Sequence, residues 1–208
     1  EVVGVYTRPD KPAARGRRLS ASPVKRLAQE KGVVVFQPPS LRPTRVQEEL
    51  AALSPDVVVV AAYGLFLPAK TLGLPPLGCL NVHPSLLPRH RGPSPVSRAV
   101  LDGDAVTGVT IIRLDEGMDT GPVVAQRQTR VESEETAPHL THRLFQMGGQ
   151  LLVEVLPALV KGEIASAGQD ESLVTVTHKI EKADGEAIWA STAHELVRRL
   201  RAFEPWPG

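Results

Sequence analysis

An unbroken apolar run in the N-terminal half of the chain constrains its fold more than any other segment. Residues 56–62 read DVVVVAA, so every side chain after the first aspartate is apolar. The run has the length of a β-strand, and a strand without a polar face must be buried on both sides. Strands of this kind are typical of parallel sheets that are covered by helices. Tyr63 and Gly64 then interrupt the pattern.

Other segments with strand and helix character alternate along the chain. Strands are predicted at residues 2–6, 33–36, 79–83, 107–114 and 123–131. Helices are predicted at residues 23–31, 44–53, 95–101 and 136–161. The alternation predicts an α/β fold: a Rossmann-like, mostly parallel sheet with helices on both faces, followed by a short linker segment.

The density of apolar residues falls after Gly162, which suggests a boundary there. We assign residues 1–163 to a catalytic domain and residues 164–208 to a linker, within which a short strand is predicted at 174–177 and a helix at 192–203. The chain starts on a predicted strand without an initiator methionine, and it ends directly after a helical pattern. We therefore expect it to be part of a longer protein.

Composition limits the possible partners. A net charge of +1 over 208 residues gives no overall basic field. Residues 8–18, RPDKPAARGRR, are locally basic, which fits either a phosphate-binding arm or an exposed surface loop. No apolar run approaches the roughly 20 residues of a membrane-spanning helix, so no membrane partner is predicted. The single cysteine, Cys79, is compatible with a reducing cytosol and a cytoplasmic location.

Asn81 and His83 are the first candidates for chemistry. They are two residues apart on a predicted strand, so their side chains lie on the same face, near the strand end where α/β sheets bind ligands. An amide donor beside an imidazole could bind an oxyanion; the alternative is a core histidine next to a surface loop. The residues that follow, PSLLPRHRGPSP, contain four prolines that stiffen the loop, as the wall of a pocket requires.

Asp119 is the third candidate, in the turn sequence DEGMDTGPV between two predicted strands. A carboxylate there could orient His83 and relay its proton. The DTG triplet also occurs in aspartic proteases, but those need two aspartates that share a proton, and this chain has one such triplet. No spacing typical of metal ligands and no glycine-rich phosphate loop occurs, so no metal site is predicted.

These motifs resemble those of the folate-dependent formyltransferases. The resemblance rests on NVHPSLLPRHRG, residues 81–92, followed by GVTIIRLDEGMDTGPVV, residues 108–124. It implies 10-formyltetrahydrofolate as the co-substrate and Asn81, His83 and Asp119 as catalytic residues, with Asp119 keeping His83 in the imidazolium form. The folate-binding residues that it implies are Leu65, Phe66, Leu67, Ser85, Leu86, Leu87, Pro88, Arg113, Leu114, Asp115 and Met118.

Within that family, three further segments are similar to methionyl-tRNA formyltransferases. They are the basic loop TRPDKPAARGRRLSASPVK, the segment AAYGLFLP at residues 61–68, and RAFEPWPG at residues 201–208. The resemblance implies a monomeric cytoplasmic enzyme that formylates the α-amino group of methionyl initiator tRNA for translation initiation. The implied tRNA-binding residues are Arg15, Arg17 and Arg18.

The chain departs from this family in three places, and two other functions stay open. The resemblance implies a first strand and helix that are missing before Glu1 and a C-terminal β-barrel that is missing after Gly208, and Pro93-Ser94 replaces a pair of alanines. One alternative is a formyltransferase for a sugar amine or a small ribonucleotide, which would not need the basic loop. The other is a truncated, non-catalytic fragment that binds folate or RNA.

Overall fold

The computed structural model describes residues 1–13 and 18–208. Arg15 and Arg17 of the predicted tRNA-binding set lie outside the described residues, and for residues 12, 13 and 18 only the backbone is described. Eight strands and six helices occur in the described part. The strands are β1 (Val5–Tyr6), β2 (Lys11–Ala13), β3 (Arg18–Ser20), β4 (Val35–Phe36), β5 (Val58–Val60), β6 (Cys79–His83), β7 (Val106–Arg113) and β8 (Val123–Arg130). The helices are α1 (Pro23–Glu30), α2 (Thr44–Ala52), α3 (Ala69–Leu72), α4 (Pro95–Asp102), α5 (Ala137–Val160) and α6 (Ala193–Phe203).

The α/β class predicted from the sequence is confirmed, and the strand pairings show how it is built. β1 pairs with β4 in parallel, whereas β2 pairs with β3 in an antiparallel hairpin. A four-stranded sheet has the order β5-β6-β7-β8, and within it β6, β7 and β8 pair antiparallel. β5 is shorter than the predicted run of residues 56–62 at both ends. After it, Ala62 has a φ of 47°, a left-handed conformation that cannot continue a strand.

The first compact unit comprises Glu1–Val58 and Ala62–Gly78. Helix α1 begins where the sequence predicts, because the Ser22 hydroxyl accepts a hydrogen bond from the Lys25 N–H and proline occupies the first helical position. The rings of Tyr6 and Phe36 stack with their centroids 4.7 Å apart across the β1–β4 pair.

The second compact unit comprises Val59–Ala61 and Cys79–Gly208. Its core lies where α4, α5 and α6 meet. The buried members of that core are Val96, Val100, Ala137, Leu140, Leu144, Ala202 and Phe203. Because α6 supplies two of them, the end of the predicted linker is packed against the rest of this unit. The boundary at residue 163 stays a prediction.

Among the helices of residues 1–13 and 18–208, none combines sufficient length with sufficient apolar character to span a bilayer.

Two adjacent glycines of α5 differ in what surrounds them. A Cβ on Gly148 would lie 2.5 Å from Val82 Cγ1 and 2.9 Å from Val109 Cγ2, so the missing side chain lets α5 approach β6 and β7 closely. A Cβ on Gly149 would have no heavy atom within 4 Å, and this residue is exposed. The first glycine is therefore required by packing, whereas the second only weakens the helix.

Alanine at these two positions should change stability in opposite directions. Gly149→Ala should raise the free energy of unfolding by about 0.5–1 kcal/mol, since alanine is the better helix former. Gly148→Ala should lower it, because overpacking against two stiff valines costs about 1–3 kcal/mol, more than the helix gains. Urea denaturation of both variants measures the difference. Equal stabilities would contradict the close packing of α5 on the sheet.

Candidate active site

Asn81 and His83 both lie on β6, as the sequence predicts. The register of β6 against β7 places Asn81 opposite Ile112 and His83 opposite Thr110. His83 is only 3% exposed, and Asn81 is half-buried. The antiparallel pairing thus fixes the backbone of both residues within a buried inner strand.

Asp119 lies in the turn that follows β7, and its carboxylate joins the two residues of β6. Its Oδ1 accepts a hydrogen bond from Asn81 Nδ2 at 3.3 Å and lies 3.6 Å from His83 Nδ1. Its Oδ2 accepts a hydrogen bond from the Gly92 N–H at 2.8 Å. The structure therefore brings the three predicted catalytic residues together around one carboxylate.

Gly92 can offer its N–H to that carboxylate because it has no side chain. Its φ is +107°, and a Cβ would lie 2.7 Å from the Thr177 carbonyl oxygen and 2.9 Å from its hydroxyl. Any larger residue at position 92 would have to push Thr177 away from the loop that contains Gly92.

The ring of His83 has a defined tautomer. Its Nε2 lies 3.1 Å from the carbonyl oxygen of His90. A carbonyl can only accept, so Nε2 carries the hydrogen and donates it. In the neutral ring the lone pair is then on Nδ1, the nitrogen that faces Asp119.

Burial lowers the pKa of His83 below its usual 6.5, although the charge of Asp119 and the hydrogen bond to His90 both raise it. The expectation that Asp119 keeps His83 in the imidazolium form is therefore wrong for the free protein. With the side chain 4% exposed, the cost of desolvating a cation outweighs the attraction of one carboxylate. Near pH 7 His83 is therefore a neutral imidazole whose Nδ1 carries the lone pair.

The carbonyl that receives the His83 hydrogen belongs to a tightly held residue. His90 has a φ of 61° and is 3% exposed, and its Nε2 lies 2.7 Å from Asp104 Oδ2. The other oxygen of Asp104 accepts from Arg89 at 2.7 Å. The His90–Asp104 contact thus secures the loop residue that sets the tautomer of His83.

The loop after β6, which contains the predicted folate residues 85–88, is fixed by Thr110. The Thr110 hydroxyl donates to the Ser85 carbonyl at 2.6 Å and accepts from the Leu87 N–H at 3.1 Å. Gln126 adds two further hydrogen bonds, to the Leu87 carbonyl and to the Thr110 hydroxyl. Ser85 and Leu87 are buried, whereas Leu86 and Pro88 are partly exposed. Thr110 and Gln126 occupy ordinary strand positions, so no sequence pattern indicates their role.

The predicted folate residues of the next turn follow β7. The Leu114 N–H donates to the Cys79 carbonyl at 2.7 Å, and Asp115 Oδ1 accepts from Gly117 N–H and the Thr120 hydroxyl. Asp115 therefore shapes the turn, and Met118 is exposed. Arg113, at the end of β7, is partly exposed.

The remaining predicted folate residues, Leu65, Phe66 and Leu67, lie in one short segment of the first unit. Phe66 is exposed, Leu65 is partly exposed and Leu67 is buried. Arg8 donates to the carbonyl oxygens of Tyr63 and Gly64 and so holds the start of this segment.

Residues of the predicted linker also reach the site, which the sequence did not indicate. Arg91 forms a parallel bridge with Val176, and Thr177 N–H donates to the Arg91 carbonyl at 2.7 Å. The predicted strand at 174–177 is thus a single bridge at Val176 rather than a strand.

The other groups of this part of the molecule that could carry chemistry are the Cys79 thiol and clusters of metal-ligating side chains. Burial raises the pKa of the Cys79 thiol to about 11, so it is neutral near pH 7 and a poor nucleophile. Within residues 1–13 and 18–208, no group of three His, Cys, Asp or Glu side chains is placed to hold a metal ion.

Comparison with known proteins identifies a family match over most of the chain. A family model described as formyl transferase matches residues 1–156. The chain is 48% identical over 208 residues to a methionyl-tRNA formyltransferase of Marinobacter nauticus, covering 100% of this chain and 67% of that protein. It is 52% identical over 206 residues to one of Chloroflexus aggregans, covering 99% and 67%. The chain thus spans about two thirds of the length of the curated relatives that it matches.

Solved structures share the fold at lower identity. HypX from Aquifex aeolicus, in complex with tetrahydrofolic acid, matches with a TM-score of 0.75 and 18% identity, over 100% of this chain and 35% of that one. A sugar N-formyltransferase from Shewanella matches with a TM-score of 0.71 and 19% identity, over 85% and 70%. At these identities the likeness concerns the fold alone.

The buried His83 should make stability depend on pH. Its pKa is lowered in the folded state, so below about pH 6.5 the unfolded chain takes up a proton that the folded chain does not. The stability that His83 contributes is present above pH 6.5 and is lost as the pH falls toward its folded pKa, by at most about 1.4 kcal/mol per pH unit.

Urea denaturation between pH 8 and pH 5 measures this loss as a difference between the wild type and His83→Gln. The matched control is His194→Gln, which replaces an exposed histidine of α6. A stability difference between wild type and His83→Gln that stays constant with pH would refute the lowered pKa.

Proposed function

Because this chain belongs to the formyl transferase family, we propose that it transfers the formyl group of 10-formyltetrahydrofolate to the α-amino group of methionyl initiator tRNA. The observation that carries the proposal is the Asp119 carboxylate, which Asn81 and His83 share. Relatives about half identical over the whole chain are named methionyl-tRNA formyltransferases, which supports this acceptor. The product is the formylated initiator for translation.

Asn81 would stabilise the tetrahedral intermediate. The neutral amine attacks the formyl carbon, a C–N bond forms, and the formyl oxygen gains negative charge. The Asn81 amide has two N–H donors, and Asp119 receives one of them, so the second can be offered to this oxyanion. One such donor is typically worth about 10²–10³ in kcat.

His83 would move the proton. Its Nδ1 carries the lone pair of the neutral ring, so it accepts the proton that the attacking amine loses. Asp119, 3.6 Å away, stabilises the imidazolium that forms. The proton then passes to N10 of the folate as the bond from N10 to the formyl carbon breaks. Tetrahydrofolate leaves, and His83 returns to its neutral form.

The contacts to the two substrates extend this proposal. We propose Ser85–Pro88 and the turn that contains Arg113, Leu114, Asp115 and Met118 as folate contacts, and likewise Leu65, Phe66 and Leu67 of the first unit. Arg15, Arg17 and Arg18 would bind tRNA phosphates. We further propose that the protein acts as a monomer in the cytoplasm, where charged tRNA and folate are both present.

Substitutions at the three central residues should reduce formyl transfer without unfolding the protein. Asn81→Ala should lower kcat by about 10²–10³ and His83→Ala by about 10²–10⁴, since each removes one catalytic group. Asp119→Asn should also lower kcat, because an amide cannot stabilise the imidazolium. Transfer of a labelled formyl group to charged initiator tRNA measures the rates.

The control for these variants is His194→Ala, in which an exposed histidine of α6 is removed and activity should persist. Sugar amines and an amino-ribonucleotide serve as competing acceptors. Faster transfer to a small amine than to charged tRNA would overturn the proposed acceptor. Near-normal turnover in any one of the three variants would overturn the role given to that residue.

Arg15→Ala should weaken the use of tRNA and leave folate binding intact. Loss of one phosphate contact should raise the KM for tRNA and reduce the slope of log affinity against log salt by about 1. Steady-state kinetics at several salt concentrations and folate titration measure the two effects. Lys161→Ala, at the exposed end of α5, is the charge-matched control. An equal fall in folate affinity would mean that the basic loop has a structural role.

A further inference from the structure

Gln169, in the predicted linker, makes hydrogen bonds with every polar position of its side chain. Its Nε2 donates to the carbonyl oxygens of Asp119 and Gly121, both at 2.8 Å. Its Oε1 accepts from Arg91 Nε at 3.0 Å and from Arg91 Nη2 at 2.8 Å. An amide has two N–H donors and two acceptor lone pairs, so all four are used. A flipped amide would face carbonyls with a carbonyl, and the side chain therefore has one orientation.

The donor half of this amide holds the backbone of Asp119. Asp119 has a φ of 55°, a left-handed conformation that costs a non-glycine residue roughly 1–3 kcal/mol. Such a conformation persists only when its surroundings hold it. The hydrogen bonds from Gln169 fix the carbonyl oxygens on either side of Thr120, so they hold the turn that carries the carboxylate.

The acceptor half leads to the same carboxylate by another route. Arg91 is 6% exposed, and it precedes Gly92, whose N–H donates to Asp119 Oδ2. The backbone of Arg91 is itself held by Thr175 and Thr177. Gln169 therefore contacts Asp119, which bears the carboxylate, and Arg91. Arg91 is the chain neighbour of Gly92, which donates to that carboxylate.

We propose that Gln169 is a positioning residue for formyl transfer, which holds the Asp119 carboxylate in place between Asn81 and His83. This inference rests on the proposed function. It assigns a role in the reaction to a residue of the segment that the sequence indicated only as a linker. Gln169 touches none of the three central side chains through its own side chain, so it acts through the Asp119 backbone and through Arg91.

The neutral amide is the chemistry that this position needs. A glutamate would pair more strongly with Arg91, but an ionised carboxylate has no hydrogen to donate to the carbonyls of Asp119 and Gly121. It would also add a further negative charge near the acidic turn of Asp119 and beside Glu171, which already pairs with Arg91. Glutamate therefore separates the two halves of the contact, because it keeps the pairing with Arg91 and loses the hold on Asp119.

The test uses Gln169→Leu and Gln169→Glu in the full-length protein, with formyl transfer to charged initiator tRNA as the assay. Misplacement of a reacting group by about 1 Å can cost about 10²-fold, so we expect kcat to fall roughly 10–100-fold in both variants. The KM values for folate and tRNA should change little. Gln150→Leu, an exposed glutamine of α5, is the matched control and should keep its activity.

A second readout does not depend on turnover. The charge of Asp119 raises the pKa of His83, so displacing the carboxylate should lower that pKa. NMR titration of the His83 ring nitrogens should show a fall in Gln169→Leu, in the same direction as in Asp119→Asn. In the Asp119→Asn background, Gln169→Leu should then have little further effect on the His83 pKa.

Three outcomes would overturn the inference. They are unchanged kcat and His83 pKa in Gln169→Leu, full activity of Gln169→Glu, and a loss of thermal stability alone. The second would mean that Gln169 matters only as a tether to Arg91. If the wild type transfers no formyl group to any acceptor, the proposed function fails, while the NMR titration still decides whether Gln169 positions Asp119.

Discussion

One carboxylate, that of Asp119, accepts hydrogen bonds from the Asn81 amide and the Gly92 N–H and lies 3.6 Å from His83 Nδ1. The carboxylate belongs to a turn and its partners come from a strand and a loop, so none of the three segments can move independently without breaking a contact to the carboxylate. The left-handed φ of Asp119 and the absence of a side chain on Gly92 both serve this arrangement. The geometry of the site therefore depends on the positive φ values of Asp119 and Gly92, which are joined by the hydrogen bond to the Asp119 carboxylate.

The burial of His83 decides how that charge can be used. In water a histidine next to a carboxylate would be protonated more readily, but here desolvation lowers its pKa despite Asp119. The carbonyl of His90 holds the Nε2 hydrogen, which leaves the lone pair on Nδ1. A neutral ring with its basic nitrogen beside a carboxylate is suited to accept a proton and then to be stabilised as a cation. In the proposed mechanism, burial keeps the His83 base unprotonated before the reaction, and the carboxylate favours its protonated form after proton transfer.

Much of this could be predicted from the sequence, because local pattern reports local structure. Residues 79–83 were predicted as a strand with Asn81 and His83 on one face, and β6 has those bounds. Helices α1 and α5 are predicted at residues 23–31 and 136–161, and they extend over Pro23–Glu30 and Ala137–Val160. The protonation state of His83 was predicted wrongly, because charge proximity can be guessed from a motif whereas burial cannot. The end of β5 was also missed, since nothing in an alanine indicates a left-handed φ.

The least predictable part is the segment that follows α5, and the reason is the length of chain between its partners. Gln169 and Asp119 are 50 residues apart, and Thr177 and Arg91 are 86 apart, so their hydrogen bonds leave no periodic trace in either segment. The family model matches residues 1–156 and so ends before Gln169, yet relatives are about half identical across the whole chain. A segment can be similar across its length and still look like a linker when its role is carried by single polar contacts. In this chain the geometry of the candidate site extends past the region that the family model covers, because the turn of Asp119 accepts hydrogen bonds from Gln169 in the segment beyond it.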